Sequence, residues 1–475
     1  MLMCEQQNNI IVSDKDPLPV TMAVASLRHT LEEFMRTTPR PLAQGLYTFI
    51  QPIQQTDPLL WLQSQTLFPR TFWKNREKSH TLAGIGAADS ILYDEPGRNS
   101  DSFELLIGKL SKKNHSARYI GGFRFNNLEI QDETWNSFPS FSFVLPLVQL
   151  TVEDGSCMLS AHLWIGTGED DVHKAGDLLS ALDSVIAETK PDRKDTLPAL
   201  KKVTCIPDRE MWTDRCNKAL ELFDSGIMQK IMLARRTVLE FETSFSPLLF
   251  LINYPYPQNT TYRFAFEPEK DIAFISFTPE RLYRRDGQTI LTEALAGTCM
   301  KETINGSDSM ASEMLLSSEK DIREHAFVKD TIYRELQPVS SSIEMEENLR
   351  VLQLNRLAHL YSRCTAVLKP EFSRDSTVLS LLHPTPAVGG VPKEAAITRI
   401  TELEPFCRGW YAAPVGWISR NGAEFAVGIR SALVNKGTTS LYSGAGLVRG
   451  SNPDLEWREI EEKIGDLMAI TRQRA

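Results

Sequence analysis

The sequence predicts an α+β fold, and three observations carry that expectation. Long segments alternate bulky and polar residues around glycines, as antiparallel strands and hairpins do; "RTFWKNREKSHTLAGIGAA" (70–88) and "SARYIGGFRFNN" (116–127) are examples. Other segments repeat apolar residues at helical spacing, yet they fall irregularly between the strands, without the strict alternation of a parallel βαβ fold. The 475 residues are 42% hydrophobic, 24% charged and 9% aromatic, which is the composition of a globular chain able to bury a large core.

Taken in order, residues 1–45 combine a polar start with a helix at "VASLRHTLEEFMR", and residues 46–165 are mainly strand-like. "DVHKAGDLLSALDSVIAE" reads as an amphipathic helix, and the charged, proline-bearing "TKPDRKDTLPALKK" (189–202) as a linker. "DREMWTDRCNKALELFDSG" is a helix closed by Gly226. Strands follow at "QKIMLARRTVLEFE", "RFAFEP", "DIAFISF", "RLYRRDGQTILTEALAG", "WYAAPVGWISR" and "AEFAVGIRSALV". Further helices are expected at 309–337, at "KEAAITRITELEP" and at "PDLEWREIEEKIGDLMAI".

Bulk properties exclude several classes of function. A net charge of −9, from 52 basic and 61 acidic residues without a long basic run, argues against nucleic acid or an anionic membrane as partner. The cysteines, at 4, 157, 205, 216, 299, 364 and 407, are scattered and form no CxxC pair, which fits reduced thiols rather than a disulfide framework or a zinc site. No signal peptide or membrane span is readable, so a cytoplasmic protein with a small-molecule substrate is expected.

Two helices present acids three residues apart. Glu456, Glu459 and Lys463 share one face of the last helix, while Glu461 and Glu462 point elsewhere; Asp321 and Glu324, with His325 beside them, share a face of another. Such stripes commonly face solvent. Brought together, however, four carboxylates without cysteine suit a hard cation such as Mg²⁺. Lys230 stands in an apolar strand, where periodicity favours an edge lysine reaching solvent over a buried base. Glu280, in "FTPERLYRR", is either a turn residue paired with arginines or a buried proton donor. Arg430 sits in an apolar strand and calls for a buried anion, structural or substrate-borne. "TEALAGT" and "SGAGLVRGS" are small-residue runs that let backbone approach a ligand; the second lacks the spacing of a P-loop or dinucleotide fingerprint.

The motifs "KIMLAR", "TPERL", "TEALAGT", "SEKDIREHAFV", "LHPTPAVGG", "RGWYAAPVGW", "FAVGIRSALV" and "YSGAGLVRGSNPDLEWREIEEK" occur in the order and approximate spacing of the chorismate-utilising enzymes. The resemblance is dense over 201–475 and looser over 1–200, and within the family it is strongest to the isochorismate synthase branch. It implies one compact domain: a chorismate-binding fold in which two large, mainly antiparallel sheets pack face to face with helices outside. It makes Glu324 and Glu456 direct Mg²⁺ ligands, with Asp321 and Glu459 acting through water; the family more often has glutamate near position 321. Tyr411, Arg430 and Lys463 match residues that contact substrate carboxylates, and Gly297, Thr298 and Gly446 line the same pocket. His359, in "RLAHLYS", matches an active-site histidine, with a packed helix histidine as the plainer reading.

The branches differ at two positions. Amine-transferring relatives usually carry glutamine where Lys230 stands, and one branch has a nucleophilic lysine where this chain has Ala296. The resemblance therefore implies water as nucleophile, Lys230 as base and Glu280 as acid, converting chorismate to isochorismate for a menaquinone- or siderophore-type pathway. A monomer without an amidotransferase subunit is expected. Salicylate synthase, an ammonia-using anthranilate-type enzyme and a non-catalytic chorismate-binding relative are the competing readings.

Overall fold

The computed structural model describes residues 9–94, 99–110, 117–126, 132–187, 196–255, 261–301, 308–354 and 357–472. Two sheets, of 13 and 10 strands, make up the architecture. The first runs Ile10–Val12, Gly45–Ile53, Ser156–Ile165, Val148–Glu153, His80–Ile85, Arg70–Lys74, Arg263–Glu269, Ile272–Ser276, Ser431–Asn435, Thr438–Val448, Lys230–Phe241 and Leu200–Ile206, with Gly390–Val391 also paired to Lys230–Phe241. The second runs Ser340–Met345, Leu357–Leu368, Thr289–Met300, Arg281–Asp286, Gly422–Val427, Pro414–Ile418, Tyr119–Phe123, Phe141–Leu145 and Asp89–Tyr93, with Arg350–Gln353 paired to Leu357–Leu368. Only the pairing of Ile10–Val12 with Gly45–Ile53 is parallel among the described strands.

Strand alternation explains how the first sheet is buried on both faces. Trp73 and Leu82 belong to the cluster between the sheets, while their neighbours Phe72 and Ala83 belong to the cluster on the opposite face. The inner cluster contains Phe274 and Tyr442 of the first sheet, Tyr283 and Phe425 of the second, and Trp410, whose ring lies 6.0 Å from that of Phe274. The outer cluster packs Phe49 and Leu163 against Leu27 and Leu31 of helix Val20–Thr37 and Leu178 of helix Asp171–Ser184. The expected fold class of two mainly antiparallel sheets with outer helices is the one observed.

Two local expectations need correction. The helix expected at 309–337 is two, Asp308–Ser317 and Glu319–Leu336. Ser318 between them is extended, and its hydroxyl accepts from the Asp321 N–H, so it caps the second helix instead of continuing the first. The packed-helix alternative for His359 also falls, because that residue lies in strand Leu357–Leu368. Residues 189–195 of the expected linker lie outside the described residues, and 200–202 already belong to strand Leu200–Ile206.

Candidate active site

Lys230 opens strand Lys230–Phe241, which has Thr438–Val448 on one side and Gly390–Val391 on the other. The lysine is fully buried, and its Nζ donates to Glu324 Oε1 at 2.8 Å. The solvent-reaching edge lysine favoured by periodicity is therefore wrong: the strand is interior, and its neighbours come from much later in the chain. Glu324 projects from helix Glu319–Leu336. Burial pushes its carboxyl upward, but Lys230, then Lys463 and Lys320, outweigh that and hold it below the ordinary glutamate range.

Glu280 occupies the link in which the chain leaves strand Ile272–Ser276 of the first sheet for Arg281–Asp286 of the second. Only 3% exposed, it accepts from the Thr385 hydroxyl at 3.3 Å. Burial, and after it the charge of Glu293, push this carboxyl up to about 8. A glutamic acid that keeps its proton at neutral pH is the result.

Opposite His359, strand Thr289–Met300 bulges between Ala296 and Thr298, and Gly297 takes a φ of +75°. The Nδ1 of His359 donates to the Gly297 carbonyl at 3.1 Å, leaving Nε2 to accept from Arg430 Nη2 at 2.7 Å. Burial, then the Arg430 charge, drive the imidazole far below its ordinary value, so it is neutral. Arg430 is not within a strand but between Gly422–Val427 and Ser431–Asn435, in a left-handed conformation with φ +48°. Among the described residues no carboxylate lies within ion-pair distance of it; its partner is the histidine, and its guanidinium faces the cavity.

The third wall is the C-terminal helix, Pro453–Ile470, started by Pro453 and by Asn452, whose side chain accepts from the Asp454 and Leu455 amides. Lys463 donates to the Gly444 carbonyl at 3.0 Å and pairs with Glu459 at 2.6 Å. Gly444 and Gly446 must stay small: a Cβ at the first would stand 2.9 Å from the Tyr411 hydroxyl, and at the second 2.6 Å from Glu324 Oε1. Glu456 is 2% exposed; its Oε1 accepts from Lys320 at 3.2 Å, while its Oε2 is buried without a partner. Burial, then repulsion from Glu459, raise this carboxyl to about 6.

These elements line a cavity with about 690 Å³ of space free of atoms, its open mouth included. Glu280, Gly297, Thr298, Glu324, His359, Tyr411, Arg430, Glu459 and Lys463 line it directly. The other sequence-derived candidates are one step away. Lys230 and Gly446 abut Glu324, Asp321 packs 3.0 Å from where a Gly297 Cβ would be, and Glu456 sits behind Lys320. Sequence reasoning assigned no role to the walls formed by Met232, Leu295, Ala387, Val388, Ile429 and Ser443, although Ala387 and Val388 fall in the motif "LHPTPAVGG". It also passed over Lys320, inside "SEKDIREH".

Among the described residues no three metal-ligating side chains converge into a ready cage. The donor set is nonetheless the right kind for a hard cation that keeps most of its waters. It consists of carboxylates only, and one of them, Glu456, has a buried oxygen with nothing to bind.

A family model described as a chorismate binding enzyme matches residues 33–472. The chain belongs to the chorismate-binding enzymes. Within them it falls among the isochorismate synthases: it is 32% identical to the chloroplastic isochorismate synthase of Catharanthus roseus, over 96% of this chain and 84% of that protein. The isochorismate synthase MenF of Bacillus subtilis is 29% identical over 89% of this chain and 93% of its own length. The structure of MenF, the menaquinone-specific isochorismate synthase from Escherichia coli, superimposes with a TM-score of 0.84 at 26% identity, covering 96% of this chain and all of that one. Anthranilate synthase component I from Streptococcus pneumoniae, at 18% identity and a TM-score of 0.66, shares the fold.

Proposed function

We propose that this enzyme of the isochorismate synthase group isomerises chorismate by adding water at C2 and expelling the C4 hydroxyl, with Lys230 and Glu280 as base and acid. The observation that supports it best is the pair of environments: a lysine buried against the Glu324 carboxylate at the cavity wall, and a buried glutamic acid that keeps its proton. In this scheme Lys230 takes a proton from the attacking water. As the new C2–O bond forms and the double bonds shift, the C4–O bond breaks, and Glu280 gives its proton to the departing hydroxyl. Water enters and water leaves, so the reaction is an isomerisation. Arg430, Tyr411 and Lys463 hold substrate carboxylate, and the backbone at Gly297, Thr298 and Gly446 shapes the pocket around the ring.

Magnesium fits the acidic end, where it would neutralise and orient a substrate carboxylate, held directly by Glu324 and Glu456 and through water by Asp321 and Glu459. Lys230 can serve as base once Glu324 is engaged elsewhere than with its ammonium. The scheme needs neither ammonia nor an amidotransferase subunit, and we place the enzyme in the cytoplasm as a monomer. No helix among the described residues is long and apolar enough to cross a membrane.

The deciding experiment incubates purified protein with chorismate, with and without Mg²⁺, and without ammonia, followed by chromatography and mass detection. Isochorismate formed only with the metal is the expected result. Salicylate with pyruvate would move the chain to a neighbouring activity, and no product at all would defeat the water-nucleophile scheme.

A further inference from the structure

The link carrying Glu280 is gripped by two residues with no part in the scheme above. Arg76 follows strand Arg70–Lys74 of the first sheet, and Glu293 lies in strand Thr289–Met300 of the second. Their side chains form a two-pronged ion pair, Nη1 to Oε1 at 2.7 Å and Nη2 to Oε2 at 2.8 Å, with both residues buried. The same Nη1 donates to the Pro279 carbonyl at 2.8 Å, and the same Oε1 accepts from the Arg281 amide at 2.9 Å. Thus the peptide groups immediately before and after Glu280 are each tied to one member of the pair.

We propose that Arg76 and Glu293 are positioning residues for the Glu280 acid, clamping the backbone on both sides of it and setting a fixed negative charge beside its carboxyl. The inference rests on Glu280 being the proton donor. Arg76 aligns the donor, and Glu293 both aligns it and keeps it protonated. Besides Glu293, the groups facing Glu280 are Lys230 at a strand start, Lys463 on the C-terminal helix, Tyr411, Arg430 and the Thr385 hydroxyl. The lysines lower the Glu280 carboxyl and Glu293 raises it, so the Glu293 charge opposes the cations around the cavity. The clamp also gives the N-terminal half of the chain a stake in chemistry performed by the C-terminal half.

The test is the pH dependence of kcat/KM for Glu293→Gln and Arg76→Lys, with Glu280→Gln as reference. The carboxamide keeps an oxygen for the Arg281 amide but removes the charge, so the alkaline limb should move down by about one pH unit. Arg76→Lys keeps the charges but loses the fork, so kcat should fall about tenfold with KM nearly unchanged and the limb in place. With kcat expressed per titrated active site, a merely structural role would lower melting temperature or active fraction and leave both that kcat and the limb where they were. An unmoved limb in Glu293→Gln, or a wild-type kcat in Arg76→Lys, overturns the inference. Should Glu293→Gln not fold, the kcat of Arg76→Lys decides alone. If Glu280→Gln itself turns over normally, the acid assignment fails, a different outcome from failure of the clamp.

Discussion

Glu280 and Glu324 line the same cavity from different walls, and burial pushes both carboxyls toward keeping their protons. They end in opposite states. Glu324 has the Lys230 ammonium at 2.8 Å and two further lysines within electrostatic reach, and is ionised. Glu280 has a hydroxyl at 3.3 Å and another carboxylate as its strongest charged neighbour, and stays neutral near pH 7. Desolvation raises both, and what separates them is whether neighbouring cations outweigh it. One residue type yields a neutral carboxyl and a carboxylate in the walls of one cavity.

Lys230→Met tests this contrast most severely, because it removes the partner that keeps Glu324 ionised. Turnover should fall by about a thousandfold, and near-normal turnover would break the comparison. Glu280→Gln keeps the shape and the Thr385 contact but has no proton to give, and kcat should drop about a hundredfold or more, with KM little changed.

The pH dependence of stability separates the two glutamates without reference to catalysis. Glu280 holds its proton up to about pH 8 in the folded state, whereas an unfolded glutamate loses it near 4.5. The folded state then binds more protons than the unfolded across that window, so this group's contribution to stability falls as pH rises through it. In denaturant titrations Glu280→Gln should lack that part of the slope and gain on the wild type between about pH 5 and 8. Glu324, lowered in the folded state, acts in the opposite direction: its contribution is present above the unfolded value and is lost as pH falls through the folded one.

The smallest effect is expected at Glu461, off the helix face that lines the cavity with Glu459 and Lys463. Its carboxylate meets the buried Arg235 guanidinium at 2.6 Å, which itself stacks on Trp457. Glu461→Gln should cost about 1 kcal/mol of stability, visible as a lower Tm, with turnover within about twofold of wild type.

What could be read from the sequence was whatever lies in local spacing or motif order. The shared face of Glu456, Glu459 and Lys463, the helix closed by Gly226 and the strand-rich stretches all follow from periods and turn residues. The burial of Lys230 did not, because a strand's neighbours are set by topology, and Gly390–Val391 and Thr438–Val448 come far downstream. Arg430 was misread for a similar reason: its surroundings look like a strand, but the residue takes a left-handed conformation just before Ser431–Asn435, with its guanidinium on His359. The Arg76–Glu293 pair, 217 residues apart in sequence, carries no local signal.

The interleaving of early and late strands bears on how the polypeptide must be made. Arg70–Lys74 pairs with Arg263–Glu269 in one sheet, and Tyr119–Phe123 with Pro414–Ile418 in the other. A chain begun at residue 201 would hold the residues that line the cavity, yet it would present bare hydrogen-bonding edges in both sheets. Such edges recruit strands from other molecules. That fragment should therefore accumulate in inclusion bodies when expressed alone, and supplying residues 1–200 as a separate polypeptide should return part of it to solution.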